Sequence, residues 1–172
     1  SGSHQLAVAP DNSALYVANL SASSITVIDL GSDAVTIIES GNGPEAIDVS
    51  PDGSELWVGM RQDNQIRVYS TEDMQEIARF PSGGELPIRL KFTPDGERVY
   101  VSNAASNAVA VIDADSREVV GSVAVGAVPV GILMQPDGSR VFVANTQDDF
   151  VTIIDPESLT VSGRVVAGDE PD

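Results

Sequence analysis

Residues 15–29, LYVANLSASSITVID, run from apolar residues into Asn19, cross a small polar patch and close on an apolar run ending in Asp29. The same phrase returns as VYVSNAASNAVAVID at 99–113 and VFVANTQDDFVTIID at 141–155, with an altered copy beginning LWVGMR at 56. Between the copies stands a second mark: Pro10-Asp11-Asn12, Pro51-Asp52-Gly53, Pro94-Asp95-Gly96 and Pro136-Asp137-Gly138, at intervals of 41, 43 and 42 residues. A third mark is a glycine-rich segment reaching a proline: GNGPEA (41–46), GGELPIR (83–89), GAVPVG (126–131) and GDEPD (168–172). A fixed period of this length means a stack of supersecondary units rather than one irregular fold. The units read as 5–45, 46–88, 89–130 and 131–172, with residues 1–4 (SGSH) set aside as a vector-derived remnant.

Each unit reads as four short strands. In the third, RLKF leads into the TPDGE turn, RVYVSN follows, then a polar loop, AVAVID, the ADSRE turn and VVGSVAV. The runs are rich in Val, Ile, Tyr and Phe, too short for helices, and bounded by turn residues. Proline presets φ for the turn, aspartate bonds its own backbone, and glycine supplies the left-handed position. Asp29, Asp113 and Asp155, each ending an apolar run, are expected to cap the next turn. The second and third strands are apolar on both faces, which a lone sheet in water does not tolerate. Stacking sheet on sheet covers both faces, with Ala18, Gly59, Ser102 and Ala144 small enough for close approach. The expected fold class is therefore all-β: a β-propeller of four-stranded antiparallel blades, four in this chain.

The marks are specific enough to carry a resemblance. PDGERVYVSNAASNAVAVIDADSREVVGSVAVGAVPVGI, with PDNSALYVANLSASSITVIDLGSDAV and PDGSRVFVANTQDDFVTIIDPESLTV, resembles the YVTN family of β-propeller repeats across 5–172. The second unit departs from it, with Met60 where asparagine is expected and VYS where Val-Ile-Asp is expected. The resemblance implies a lactonase-like enzyme, an accessory subunit of a redox enzyme, or a surface-layer or envelope binding protein. Fold alone does not choose among these.

Composition narrows the choice. The chain of 172 residues carries 26 acidic against 9 basic residues, a net charge of −17, and a single lysine, Lys91. Such a chain repels phosphate backbones and anionic lipids, so neither nucleic acid nor membrane insertion is expected. There is no cysteine, and His4 is the one histidine. The repeats therefore offer no Ser-His-Asp triad, no histidine or thiolate ligand for haem, zinc or copper, and no cysteine nucleophile. No cofactor or metal site is expected. Calcium through carboxylates stays open, although QDD (147–149) and DADS (113–116) lack a full calcium-loop pattern.

Loops joining strand 2 to strand 3, and strand 4 to the next strand 1, share one face of a propeller, where a rigid scaffold holds binding residues. Arg61 and Arg89 break the repeat there: their counterparts are Leu20, Ala104 and Thr146 for the first, Ala46 and Gly131 for the second. With Glu45 and Asp148 they form the expected ligand-binding set, and no catalytic residue is assigned. Asn19, Asn103 and Asn145 are expected to fix loops.

The expected role is a non-catalytic binding or scaffold module, extracytoplasmic in a bacterium or archaeon, taking a protein or glycan partner on its loop face. The alternatives are a lactonase-like enzyme or redox accessory subunit, and an excised or engineered propeller fragment. Closing four blades alone asks for about 90° per blade against about 45° in a ring of eight. Self-association is therefore expected, two chains forming an eight-bladed homodimer about a two-fold axis.

Overall fold

The structure, a computed structural model, describes residues 2–172 as sixteen strands in four separate sheets. Blade 1 holds β1 (Ser3–Val8), β2 (Ala14–Asn19), β3 (Ser24–Asp29) and β4 (Val35–Glu39). Blade 2 holds β5 (Pro44–Val49), β6 (Glu55–Met60), β7 (Gln65–Ser70) and β8 (Glu76–Pro81). Blade 3 holds β9 (Pro87–Phe92), β10 (Arg98–Asn103), β11 (Ala108–Asp113) and β12 (Val119–Ala124). Blade 4 holds β13 (Pro129–Met134), β14 (Val141–Asn145), β15 (Phe150–Asp155) and β16 (Thr160–Val166). In each blade the four strands lie in chain order as an antiparallel meander. The protein is a four-bladed β-propeller arc.

The expected strands fall into place, with one shift. The sequence units end at 45, 88 and 130, whereas Pro44, Pro87 and Pro129 open the innermost strand of the following blade. A proline has no N–H for the ladder and belongs at a strand's first residue. The ladder slips just beyond it, between Pro44 and Ala46 and between Pro129 and Ile132. Strand β1 likewise begins at Ser3, within the stretch set aside as a remnant.

Three cores lie between blades. Tyr16, Ala18 and Ile25 of blade 1 meet Ile47, Leu56 and Val58 of blade 2. Trp57, Ile66 and Val68 on the other side of blade 2 meet Leu90, Val99 and Val101 of blade 3. Tyr100, Val109 and Val111 meet Val141, Val143 and Ile154 of blade 4. Direct cross-strand partners share a face, so each sheet sends one row of side chains to the blade before and the alternate row to the blade after. Trp57 anchors the middle core. It is fully buried and stands edge-on to Phe80 and Phe92, with centroids 5.2 and 5.3 Å away. Its Nε1 donates to Glu55 Oε2 at 2.7 Å, and Arg117 from blade 3 pairs with Glu55 Oε1 at 2.7 Å.

The arc is open. The inner strand β1 packs on β5, β5 on β9 and β9 on β13, with no comparable packing of β13 on β1 among the described residues. Leu6 in β1 and Leu133 in β13 are 59% and 62% exposed, whereas Ile47 and Leu90 at the place of Leu6, and Ala7 and Asp48 at the place of Leu133, are at most 8% exposed.

Turn chemistry repeats in every blade. The Pro-Asp-Gly aspartates accept backbone N–H bonds from two residues on: Asp11 from Ser13, Asp52 from Ser54, Asp95 from Glu97 and Asp137 from Ser139. Gly53, Gly96 and Gly138 take φ of 79°, 79° and 75°, and Asn12 fills that place in blade 1 at 60°. At the ends of β3, β11 and β15 the amides of Ser32, Ser116 and Ser158 cap Asp29, Asp113 and Asp155, the turn-capping role expected of them. Hydrogen bonds from these amides and from neighbouring hydroxyls hold all seven carboxyls below the ordinary aspartate range.

Two outcomes test this packing and turn chemistry. Trp57→Ala, emptying the middle core, is expected to cost about 3–5 kcal/mol in urea unfolding; a loss under about 1 kcal/mol refutes the anchoring role. The turn aspartates have lowered folded-state values, so their stabilisation is complete above about pH 4 and drains away as pH falls through those values. Calorimetry from pH 7 to 2 should show the melting temperature falling below about pH 4, and falling less steeply in Asp95→Asn.

Candidate functional site

Loops 2–3 and 4–1 do share one face, laced by backbone bonds from Arg61 N to Gly43 O, Ala104 N to Leu86 O and Thr146 N to Val128 O. On this face Glu45, second residue of β5, is 2% exposed although ionisable. Arg61, just beyond β6, places Nη1 3.1 Å from Glu45 Oε2. Arg89, in β9 of the next blade, places Nη1 3.9 Å from Oε1 and Nη2 3.6 Å from Asp172 Oδ1. From the other side His4 Nδ1 comes to 3.4 Å of Oε1. Thus Glu45, Arg61 and Arg89 converge on one cluster, joined by His4 and Asp172.

The electrostatics are lopsided. A carboxylate out of water needs partners that repay its lost hydration. Glu45 has two guanidinium groups, yet its Oε2 is sealed from solvent and makes no hydrogen bond of good geometry. Arg89 is mostly buried and also donates to Ile88 O at 3.0 Å, whereas the Arg61 side chain is 37% exposed. The arrangement holds a cationic fork at the surface by an anion beneath it.

Asp148 is not part of this cluster. Its Oδ2 accepts from Ala127 N at 2.6 Å, bracing the loop that enters blade 4. In blade 3 Ser106 does the same job at the equivalent position, accepting from Glu85 N. This partner, 21 residues away in the chain, shows only in three dimensions.

The asparagines fix loops, as expected. Asn145 Oδ1 accepts from Gly126 N, and its Nδ2 donates to Phe150 O and Thr152 Oγ1. Asn103 Nδ2 donates to Ser82 O. A Cβ on Gly84 or Gly126 would come within 2.7 Å of these asparagine side chains, which explains the glycines there. The departure in blade 2 is a concerted exchange. Met60 joins the blade 1–2 core, and Arg67, standing where Thr26, Ala110 and Thr152 stand, takes over the loop by donating to Ser40 O.

The opposite, Pro-Asp-Gly face carries clefts instead. One of about 330 Å³ between blades 2 and 3 is lined by Asp52, Glu55, Asp95, Asp115 and Arg117. Another of about 350 Å³ between blades 3 and 4 is bounded by Arg98, Tyr100, Asp137 and Glu157. Burial raises the Tyr100 hydroxyl above its ordinary value, and that hydroxyl has no hydrogen-bond partner. Among the described residues no three His, Cys, Asp or Glu side chains converge as a metal site, and no helix is long and apolar enough to cross a membrane.

Four meander blades stacked face to face define a β-propeller. The chain belongs to the family described as Lactonase, 7-bladed beta-propeller, whose model matches residues 32–119, just over half of the sequence. It is similar to a chain of Kuenenia stuttgartiensis hydrazine synthase, with a TM-score of 0.90 and 29% identity, over 96% of this chain and 49% of that one. The chain therefore spans about half the length of that relative. No curated protein matches the sequence.

Removing the buried charge tests the cluster. Glu45→Gln leaves Arg61 without its counter-ion and Arg89 with Asp172 alone, and is expected to destabilise the protein by about 1–3 kcal/mol in denaturant unfolding. Arg61→Ala, at a more exposed partner, is expected to cost less than Arg89→Ala; the reverse order refutes the hierarchy.

Proposed function

We propose that the chain is a non-catalytic propeller module, a partial ring within a larger scaffold, that takes a carboxylate-bearing protein or glycan on its loop face. The observation that carries this reading is Glu45: two arginines from different blades, both departures from the repeat, are held by one buried carboxylate. A guanidinium anchored from below is oriented before any ligand arrives, and its free N–H edge suits a second carboxylate. The placement on loops over rigid strands also supports it. The setting proposed is extracytoplasmic, in keeping with a chain free of cysteine; fractionation of source cells that finds the protein only in the cytosol refutes it.

A second reading, lactone hydrolysis, is favoured by the family and by His4 lying 3.4 Å from Glu45. The redox-accessory alternative has the named relative, a hydrazine synthase chain, as its support.

Two assays decide. Calorimetric titration with peptides carrying a single glutamate and with neutral oligosaccharides carrying a single uronic acid should give binding to one of them that weakens at least about tenfold in Arg61→Ala. Binding to neither, or equal binding by the variant, refutes the module reading. Hydrolysis of aliphatic and aromatic lactones, with and without divalent metal, is expected to stay at background; turnover that Glu45→Gln abolishes establishes the second reading instead.

A further inference from the structure

The two ends of the arc expose sheet faces of the same make as the faces buried inside it. In blade 1, Leu6 pairs with Val17 and Val8 with Leu15, and Leu15 in turn pairs with Ile28, so all five share the face turned away from blade 2. Their counterparts in blade 2, including Ile47, Val49, Leu56 and Val58, are at most 6% exposed because blade 1 covers them. At the other end Leu133 pairs with Phe142 and Ala144 with Val151, forming the outward face of blade 4. Phe142 stands in the row of Tyr16, Trp57 and Tyr100, each of which is buried against the next blade.

A third feature matches the ends to each other. The turn between the third and fourth strands of every blade ends in a left-handed residue: Asp33, Met74, Arg117 and Leu159, with φ of 59°, 57°, 61° and 52°. Within the arc this residue reaches back onto the preceding blade, toward the first residue of its second strand or the packing beside it. Met74 packs into the blade 1–2 core beside Ala14. Arg117 Nη2 pairs with Glu55 Oε1 at 2.7 Å. Leu159 packs into the blade 3–4 core, while Arg98 donates to Pro156 O of the same turn. Each junction is matched in kind. What remains is Asp33, reaching from blade 1 toward a missing predecessor, and Arg140, just before β14 on the face of blade 4 that awaits a successor. They are opposite in charge and exposed, and neither has an ion-pair partner among the described residues.

We propose that the occupant of both faces is a second copy of this chain: blade 1 of each copy stacks on blade 4 of the other, Asp33 of one pairs with Arg140 of its partner, and the two arcs close an eight-bladed ring about a two-fold axis. This rests on the reading of the chain as a partial ring and not on the ligand proposed for the Glu45 cluster. Two copies are the smallest number of whole chains that closes a ring, at about 45° per blade against about 51° for seven. Asp172 already stands where the next inner strand begins: it lies against Gly131 and lines a hollow with Ala144, as Val130 lies beside Ser102. The partner's β1 continues that line from Gln5, and its Ser3 and His4 must swing aside.

The test is the solution mass of the 172-residue chain by sedimentation equilibrium, against a monomer of 17.9 kDa. A discrete dimer is expected. Asp33→Arg and Arg140→Asp, each acting at two contacts per dimer, should weaken it about tenfold. The double variant D33R/R140D should return to within about threefold of the original affinity. Val17→Glu and Leu133→Glu, at opposite ends, should both give monomers, with circular dichroism checking that each stays folded. A chain starting at Gln5 should associate more tightly. A concentration-independent monomer overturns the proposal. So does a mass that grows without limit, a dimer indifferent to Val17→Glu and Leu133→Glu, or a double variant no better than the singles. Glu45, Arg61 and Arg89 lie in blades 2 and 3, away from both end faces, and only their neighbours His4 and Asp172 reach the seam; ligand titration in the Val17→Glu monomer therefore reports on the two arginines separately.

Discussion

Everything in this protein depends on sheets that are apolar on both faces and must be stacked to exist in water. A four-stranded sheet carrying Leu56 and Val58 on one side and Trp57 and Ile66 on the other has no face to give to solvent. Stacking answers that need locally, one neighbour at a time, so stability is close to a sum of blade and interface contributions. The same rule creates the features at the ends. A linear stack always leaves two uncovered faces, and only closure into a ring removes them.

Around this packing the chain reuses a small set of local devices, and each device leaves a different residue free to change. Carboxylates in the turns are occupied by backbone amides, which is why a strongly acidic chain is not thereby rich in ligand sites. The loop-fixing position tolerates exchange of its chemistry so long as the loop carbonyl is still served. Asn103 does this from β10, and Arg67 does it from β7 once Met60 has taken the asparagine's place in the core. The Glu45 cluster is different in kind. Its carboxylate is buried, with one oxygen beside Arg61 but without a well-formed hydrogen bond, and its arginines replace small or apolar residues of the other blades. Polar burial that the repeat does not require is the natural place to look for function.

The architecture was legible because a repeat multiplies weak signals. One short apolar run is ambiguous between helix and strand, but four copies spaced by Pro-Asp turns are not. Blade 3 shows this most directly: RVYVSN and AVAVID in the sequence are β10 and β11 in the structure, residue for residue. Arg61 and Arg89 stand out in the sequence for the complementary reason, as breaks in a pattern otherwise kept, whereas their meeting at Glu45 shows only in the structure. Asp148 holds Ala127 N, a role the sequence does not reveal because an acidic side chain in an exposed loop looks alike whether it faces a ligand or braces a backbone amide. His4 went unread because it lies in a stretch discounted as a remnant, yet it sits in β1 against Glu45.

By itself, the sequence determined the number of blades, their strands and the turns between them. These depend on φ preferences, backbone capping and the two-residue alternation of a strand, all interactions between near neighbours in the chain. The tertiary structure alone decided that Glu45 is buried beneath two arginines from different blades, that the Pro-Asp-Gly face is cleft, and that the arc stays open with Leu6 and Leu133 bare. Those outcomes depend on the angle at which one sheet settles on the next. That angle is set by the summed shapes of the side chains between them, such as Trp57 against Phe92 or Tyr100 against Val141, and it is written in no single repeat.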